Sequence, residues 1–286
     1  MIIGGGICGT STAFHLAQLG EKVTILERGE LASESSGVNA GGVGGYGWGN
    51  IPDLQSYLTA GSFEIFKSLQ LDMGYDIEFH APGGLQSIHT QAQWDYARDQ
   101  VFKSQSNGYS AELITTREAR AVEPEVSDSL AGFMFLPKRG RANPVKSTLA
   151  FGRAASELNA VIKTNHEVQD IIQQPDQSWL VKTNQGDFIS GIVALATGAW
   201  TRPLGKKLGI DIPIIPIRGQ MWATQPVPPS IFHLSGSIES HFDWSHQITK
   251  QKDPPELTHI GTKRITRHLY GGQTRNGEII FGGDRQ

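Results

Sequence analysis

The chain has 286 residues, enough for one large or two ordinary domains with a real buried core. Its formal net charge is -3, from 25 Lys and Arg against 28 Asp and Glu, and no basic run exceeds two residues, so nothing offers nucleic acid a field. No apolar run approaches the roughly 18 residues of a membrane span, and the single cysteine, Cys8, excludes an internal disulfide and a CxxC metal site.

Met1 to Arg28 reads as a very short strand, a glycine turn, a helix and a second strand that ends in an acid. Gly4, Gly6 and Gly9 stand at the spacing of the dinucleotide fingerprint: a tight turn, a backbone that admits pyrophosphate, and close packing of helix on sheet. The positive end of the helix is expected to face the phosphates. Ile7, Ala13, Phe14, Leu16, Ala17 and Leu19 are expected on or near its sheet side, with Cys8 buried in its first turn and Gly20 as its stop. Val23, Ile25 and Leu26 form the next strand, and Glu27 follows where a carboxylate accepts both ribose hydroxyls of an adenosine. A carboxylate there repels a ribose phosphate, which disfavours NADP and leaves NAD and FAD. Only Met1, Ile2 and Ile3 precede the turn, short for a central parallel strand, so an earlier start is expected. The compartment therefore stays open: cytoplasmic if Met1 is the start, organellar if a targeting segment precedes it.

The glycine-rich stretch that follows, through Gly49, suits an extended segment close beneath a large flat ligand better than a packed element. Ser35 and Ser36 can turn hydroxyls toward phosphate. Asp53 to Leu71 has helical spacing, with an apolar face of Leu54, Leu58, Ile65, Phe66 and Leu69 and a stop at Gly74. Asp76 to Ser87 suggests two short strands broken at Pro82. Gln91 to Lys103 is an amphipathic helix, and Thr115 with Glu118 forms a capping box for a short one. Leu130 to Leu136 reads as a strand.

Asn143 and Pro144 start a helix whose apolar face would be Val145, Leu149, Leu158 and Val161. Short strands follow at Ala160 to Lys163, Glu167 to Gln173 and Trp179 to Thr183. Phe188 to Ala196 is nearly all apolar, as a strand buried on both faces should be. The glycine at its carboxyl end, Gly198, marks where open sheets bind ligands, which places this strand in the same sheet as the glycine turn. Pro203 to Pro216 reads as a linker. Strands are then expected at Ile217 to Thr224, Ile231 to Leu234, Leu257 to Thr262, Leu269 to Tyr270 and Glu278 to Phe281. Asn276-Gly277 is the strongest hairpin signal. His241 and His246 are five apart without an ordered third ligand, so they read as core or solvated histidines and no metal is expected. The chain stops after a strand with no closing helix.

Taken in order, GGGICGTSTAFHLAQLGEKVTILERG, SSGVNAGGVGG, AVEPEV, GRANPVKSTLAFGRAASELNAVI, LATGAWTRPLG, IPIRGQMW and RNGEIIFGG resemble the FAD-dependent amine and amino-acid oxidoreductases of the D-amino acid oxidase superfamily, which includes glycine oxidase and sarcosine oxidase. The resemblance implies an α/β fold: a Rossmann-like FAD-binding domain (1–75 and 140–215) with a discontinuous α+β substrate domain on an antiparallel sheet (76–139 and 216–286). It implies that Gly4, Gly6 and Gly9 receive the pyrophosphate of FAD and Glu27 its ribose. Arg28, Ser35 and Ser36 would line the adenine and phosphate side, Gly41 and Gly42 would run beside the isoalloxazine, and Val168, Thr197 and Gly198 would flank the adenosine half. The implied chemistry removes a hydride from the carbon next to the amine of an amino acid or small amine and gives an imine, without an acid–base triad.

Two departures stand out. The family's final flavin-binding strand and helix are missing, so the chain reads as truncated. Where the family often carries an arginine two residues after the tyrosine of YGGQTRNGEIIFGG, this chain has Gly272. A carboxylate clamp must come from elsewhere, with Arg218, Arg264, Arg267 and Arg275 as candidates and Tyr46, Trp48 and Tyr270 as candidate wall residues. The partner is a small-molecule amine or amino acid, and no oligomeric state follows. The alternative reading is a non-catalytic FAD- or ADP-ribose-binding or assembly protein that keeps the nucleotide-binding half.

Overall fold

The computed structural model describes residues 1–44, 54–246 and 256–286. In chain order the first elements are β1 (Ile2–Ile3), α1 (Ile7–Gln18), β2 (Thr24–Leu26), β3 (Gly42–Gly44), α2 (Leu54–Leu71), β4 (Gly84–Ile88), α3 (Gln91–Ser106), β5 (Glu112–Ile114) and α4 (Thr116–Val122). Then come β6 (Gly132–Leu136), β7 (Arg139–Arg141), α5 (Pro144–Glu157), β8 (Val161–Lys163), β9 (Val168–Gln173), β10 (Trp179–Thr183), β11 (Gly186–Ser190), β12 (Ala194–Leu195) and α6 (Thr201–Lys207). The last are β13 (Gly219–Ala223), β14 (Leu234–Ser237), α7 (Glu239–His246), β15 (His259–Ile260), β16 (Lys263–Arg264), β17 (Tyr270–Gln273) and β18 (Ile279–Arg285). They fall into two compact units, residues 1–39 with 144–216 and residues 40–143 with 217–286.

In the first unit a parallel sheet has the order β12-β1-β2-β8, with Ile2 opposite Ala194 and Ile25. The glycine turn and the strand before Gly198 thus share one sheet, as expected. Helix α1 packs on α5 through small residues: Thr10, Ala13 and Ala17 on one, Thr148, Gly152 and Ala155 on the other, all buried. Phe14 and Phe151 meet with ring centroids 5.9 Å apart. The expected face of α1 holds through Ala13, Phe14 and Ala17, but this close approach overturns the one expected for α5. Val145, Leu149, Leu158 and Val161 lie outward, and so does Leu19, because the helices bury their small sides instead. Cys8, expected buried, is exposed on α1.

The run Phe188 to Ala196 is two strands. Its first part ends β11, which pairs antiparallel with β10, and its last residues form β12, parallel to β1. Ile189 and Ile192 are 72% and 78% exposed, since the ribbon β9–β10–β11 buries only one face. That face, through Ile171 and Val181, joins Ile3 and Leu26 in one core. Pro203 sits in the first turn of α6 rather than in a linker; an N–H there has no helical partner to lose.

The second unit is built on a sheet of order β13-β18-β17-β14-β4-β6-β5, antiparallel except where β14 runs beside β4. Helix α3 covers a core of Ile88, Ala97, Val101, Met134, Leu136 and Ile238. Leu85, Ala119 and Phe133 form a second core, to which α4 contributes Ala119. The expected capping box is present, with Thr115 and Glu118 complete, and Thr90, which the sequence reading did not single out, caps α3 as its Oγ1 accepts from Gln93 N. Gly277, at φ +93°, turns β17 into β18 at the expected hairpin.

Residues 40–75 group with this second unit, not with the nucleotide-binding half to which the sequence assigned them. The cause is local pairing. β3 pairs β7, Phe63 of α2 packs edge-on to Phe79 at 5.5 Å, and the Gln70 amide both donates to and accepts from the Phe79 backbone. The outward residues Leu54, Leu58 and Ile65 are exposed, and α2 buries Ser56, Phe63 and Leu69. Asp76 to Ser87 holds one strand, β4, and a bridge from His80 to Arg141. Ile231 to His233 precede β14 because the buried Glu123 carboxylate captures the N–H groups of Phe232 and His233. Helix α7 was not anticipated. Among the described residues no helix is long and apolar enough to cross a membrane.

Candidate nucleotide-binding site

Inside the first unit a cavity of about 310 Å³ opens beside the glycine turn, within the range of small-ligand pockets. Gly4, Gly6, Glu27, Arg28, Ser35, Ser36, Val168, Thr197 and Gly198 line it, so residues more than 190 positions apart in the chain converge. Gly9 does not line it. A Cβ on Gly9 would strike the Gly4 carbonyl oxygen, so its part is to let α1 settle on the turn. Gly4 has φ +112°, and a Cβ there would strike the Ala196 carbonyl, so no side chain fits. Gly41 and Gly42 belong to the second unit and lie outside this lining.

Glu27 is buried, and its carboxylate is already fixed from two sides. Oε2 accepts from Gly5 N at 2.6 Å and Oε1 from Gly29 N at 2.8 Å. A carboxylate has about four acceptor positions, so two remain for a pair of hydroxyls. Ser36 Oγ accepts from Ile7 N at 2.9 Å, which sets a hydroxyl at the positive end of α1. Arg28 pairs with Glu34 at 2.6 Å and lies 3.9 Å over the Trp200 ring. Trp200, His166 and Lys207 also line the cavity and carried no signal in the sequence. A buried acceptor, a helix end and a glycine floor fit the ribose and phosphates of a dinucleotide.

The second unit gathers its polar groups differently. Arg264 is paired with Asp284 at 2.8 Å, and Arg218 and Arg267 are exposed. Of the four candidate arginines, Arg275 borders a cavity of about 700 Å³, together with Gly272, Arg141 and Glu78. Tyr270 is half-buried, its ring 5.5 Å from that of His268. Tyr46 and Trp48 lie outside the described residues.

Two arginines of β7 escaped the sequence reading. Nε of Arg139 and Nη1 of Arg141 are shielded from solvent without a hydrogen-bond partner among the described residues. Burial pulls the Arg139 guanidinium down to about 10. His241 is in a core cluster, edge-on to Trp244 at 5.6 Å and to His268 at 5.3 Å. Burial, reinforced by His268, Arg285 and Arg139, holds His241 down to about 2. Burial first and then the two arginines hold His268 at about 4. Both imidazoles are therefore neutral at physiological pH; Ser240 Oγ and His268 Nδ1 are 2.7 Å apart.

Comparison with known proteins gives a consistent answer. The family model for DAO, FAD dependent oxidoreductase, matches residues 1–285. The mitochondrial dimethylglycine dehydrogenase of Rattus norvegicus is 28% identical over 239 residues, covering 80% of this chain and 26% of that protein. The 4-methylaminobutanoate oxidase (formaldehyde-forming) of Paenarthrobacter nicotinovorans is 30% identical over 220 residues, covering 75% of this chain and 26% of that protein. The crystal structure of L-proline dehydrogenase from P.horikoshii superimposes with a TM-score of 0.80 at 27% identity, covering 99% of this chain and 68% of that one. The chain thus spans about a quarter of the length of these two curated relatives.

Proposed function

Because the chain belongs to the FAD-dependent oxidoreductase family that it matches over residues 1–285, we propose that it takes part in oxidising an amine or amino acid by removing a hydride from the carbon next to nitrogen. The observation that carries this reading is the convergence of Gly4, Gly6, Glu27, Ser36 and Gly198 on one cavity, with the Glu27 carboxylate buried and pre-oriented there. Glu27 would hold the ribose, the turn and the α1 end the pyrophosphate, and Val168 and Trp200 the walls beside the adenosine. FAD, when bound, supplies the two-electron acceptor. The protein's part is to orient the substrate and exclude water while the C–H bond breaks with its electron pair and the nitrogen lone pair closes the C=N bond. Water then hydrolyses the imine to a carbonyl compound and an amine.

Titrating the purified chain with FAD tests this directly. The expected result is saturable quenching of flavin fluorescence with one equivalent bound, followed by loss of visible absorbance when an N-methyl amino acid is added without oxygen. A folded chain that leaves FAD fluorescence unchanged overturns the reading. Binding without bleaching by any amine selects the alternative of nucleotide binding without turnover.

A further inference from the structure

Helix α2 has two apolar faces, and the chain covers one of them. Phe63 and Leu69 turn inward with Ser56 and are buried. On another side Leu54, Tyr57, Leu58 and Ile65 stand at i, i+3, i+4 and i+11, the spacing of a single helical stripe, and they are 36% to 71% exposed. A surface leucine by itself is ordinary; four large apolar side chains on one stripe mark a surface that something covers.

The middle of the stripe is Gly61. Glycine weakens a helix interior, and nothing in the chain calls for it here: its φ is not left-handed, and a Cβ would meet nothing within 4 Å among the described residues. What a glycine at an open helix surface does permit is the close approach of a second backbone. The stripe is also lopsided about this point. Three bulky residues, Leu54, Tyr57 and Leu58, lie toward the N-terminal end, and Ile65 with the smaller Ser68 toward the C-terminal end. A bulky half packs to density only against a lean one. A copy of the same helix running antiparallel about a two-fold axis at Gly61 meets that need at both ends. Tyr57 then lies opposite the partner's Ile65, and Leu54 opposite the partner's Ser68.

Charge and area agree. Glu64, at the edge of the stripe, is matched within its own chain by Lys67 at 3.9 Å and Lys138 at 3.6 Å. The axis sets it beside the partner's Leu58, so no like charges are opposed. The four apolar side chains expose on the order of 500 Å² per copy, high for a patch on a monomer, and a pair removes about 1,000 Å² in all, where specific association begins.

We propose that the outer face of α2 is a homodimer interface, two copies of this chain packing α2 against α2 antiparallel about a two-fold axis at Gly61. The interface lies wholly on the second unit and asks nothing of the flavin site.

Sedimentation velocity of the purified chain over a concentration series is the test. An interface of this size dissociates in the micromolar range, so the mass should double between about 1 and 200 µM. Leu58→Glu sets a carboxylate against the partner's Glu64, and Gly61→Arg fills the crossing point; each should raise the dissociation constant at least roughly tenfold. Both positions are open to solvent in the single chain, so melts taken at low concentration, where the wild type is monomeric, should match the wild type. Tyr57→Lys and Ile65→Glu should each weaken the dimer, and the double variant should recover most of the loss, because only the antiparallel pair brings the two new charges together. A single-chain mass at the highest concentration overturns the proposal and leaves the face to another partner. So does a dimer unaltered in either folded variant, Leu58→Glu or Gly61→Arg, assembly beyond two chains, or a double variant no better than its parents.

Discussion

The two cavities are built on opposite principles. The one in the first unit is made of backbone: a left-handed glycine, a helix end, and one carboxylate whose two oxygens are held by peptide N–H groups. The one in the second unit is made of side chains from four separated stretches, 70–82, 141–143, 227–234 and 272–277, on a floor left bare by Gly272. A backbone site admits few sequences and recognises what many ligands share. A side-chain site can be rewritten residue by residue while the strands keep their register, and this is where ligand choice should reside.

The sharpest way to break that contrast is to burden the backbone site. Gly9→Val drives a branched side chain into the Gly4 carbonyl. It should cost the first unit about 4 kcal/mol or more, read as a collapse of the urea midpoint together with complete loss of FAD binding. A valine at Gly272 should cost far less, because its Cβ meets nothing closer than 3.5 Å.

The next effect belongs to acid. His268 titrates at about 4 when folded, against 6.5 when free. Between those values the unfolded chain binds a proton that the folded chain refuses, so stability is full above pH 6.5 and falls as pH drops toward 4. At about 1.4 kcal/mol per pH unit, His268 removes on the order of 3 kcal/mol down to pH 4, and His241, held near 2, adds a like slope over the same window and continues it below pH 4. Denaturant midpoints between pH 7 and 4 measure the slope, and His268→Gln should roughly halve it, since His241 contributes over the same window.

Glu27→Gln places an amide N–H₂ against one of the two peptide N–H groups that its carboxylate now satisfies. About 2 kcal/mol of stability should go, with FAD affinity reduced. The smallest effect is at a cap. Thr90→Ala removes the acceptor for Gln93 N and should cost about 1 kcal/mol in a thermal melt, with FAD binding unaffected.

What was legible in the sequence follows the same division. Gly4, Gly6, Glu27 and Gly198 announce themselves because backbone geometry restricts which residue can stand there, and their spacing is fixed by strand and helix lengths. The cap at Thr115, the helix start at Pro144 and the turn at Gly277 were readable for the same reason. Arg139 and Arg141 were not, because nothing local separates an arginine whose guanidinium is shielded from a solvated one; the neighbours that shield Arg139, such as β4 at Gly84, lie far away in the chain. Helical faces misled wherever small residues, not large ones, went inward, as in α5, where Ala154, Ala155 and Gly152 are covered while Leu149 is not. The placement of residues 40–75 was missed because the partners of that segment, Phe79 and β7, lie beyond it in the chain.

The pairing of β1 with β12 also has a consequence for synthesis. Ile2 finds its neighbour Ala194 only after almost two hundred further residues have been translated, and Gly219 finds Arg285 only once β18 has emerged. Each unit is interrupted by a segment of the other, so neither can close while its own second portion is still inside the ribosome. The nascent protein carries unpaired strand edges until those partners emerge, a high-contact-order route that exposes it to aggregation.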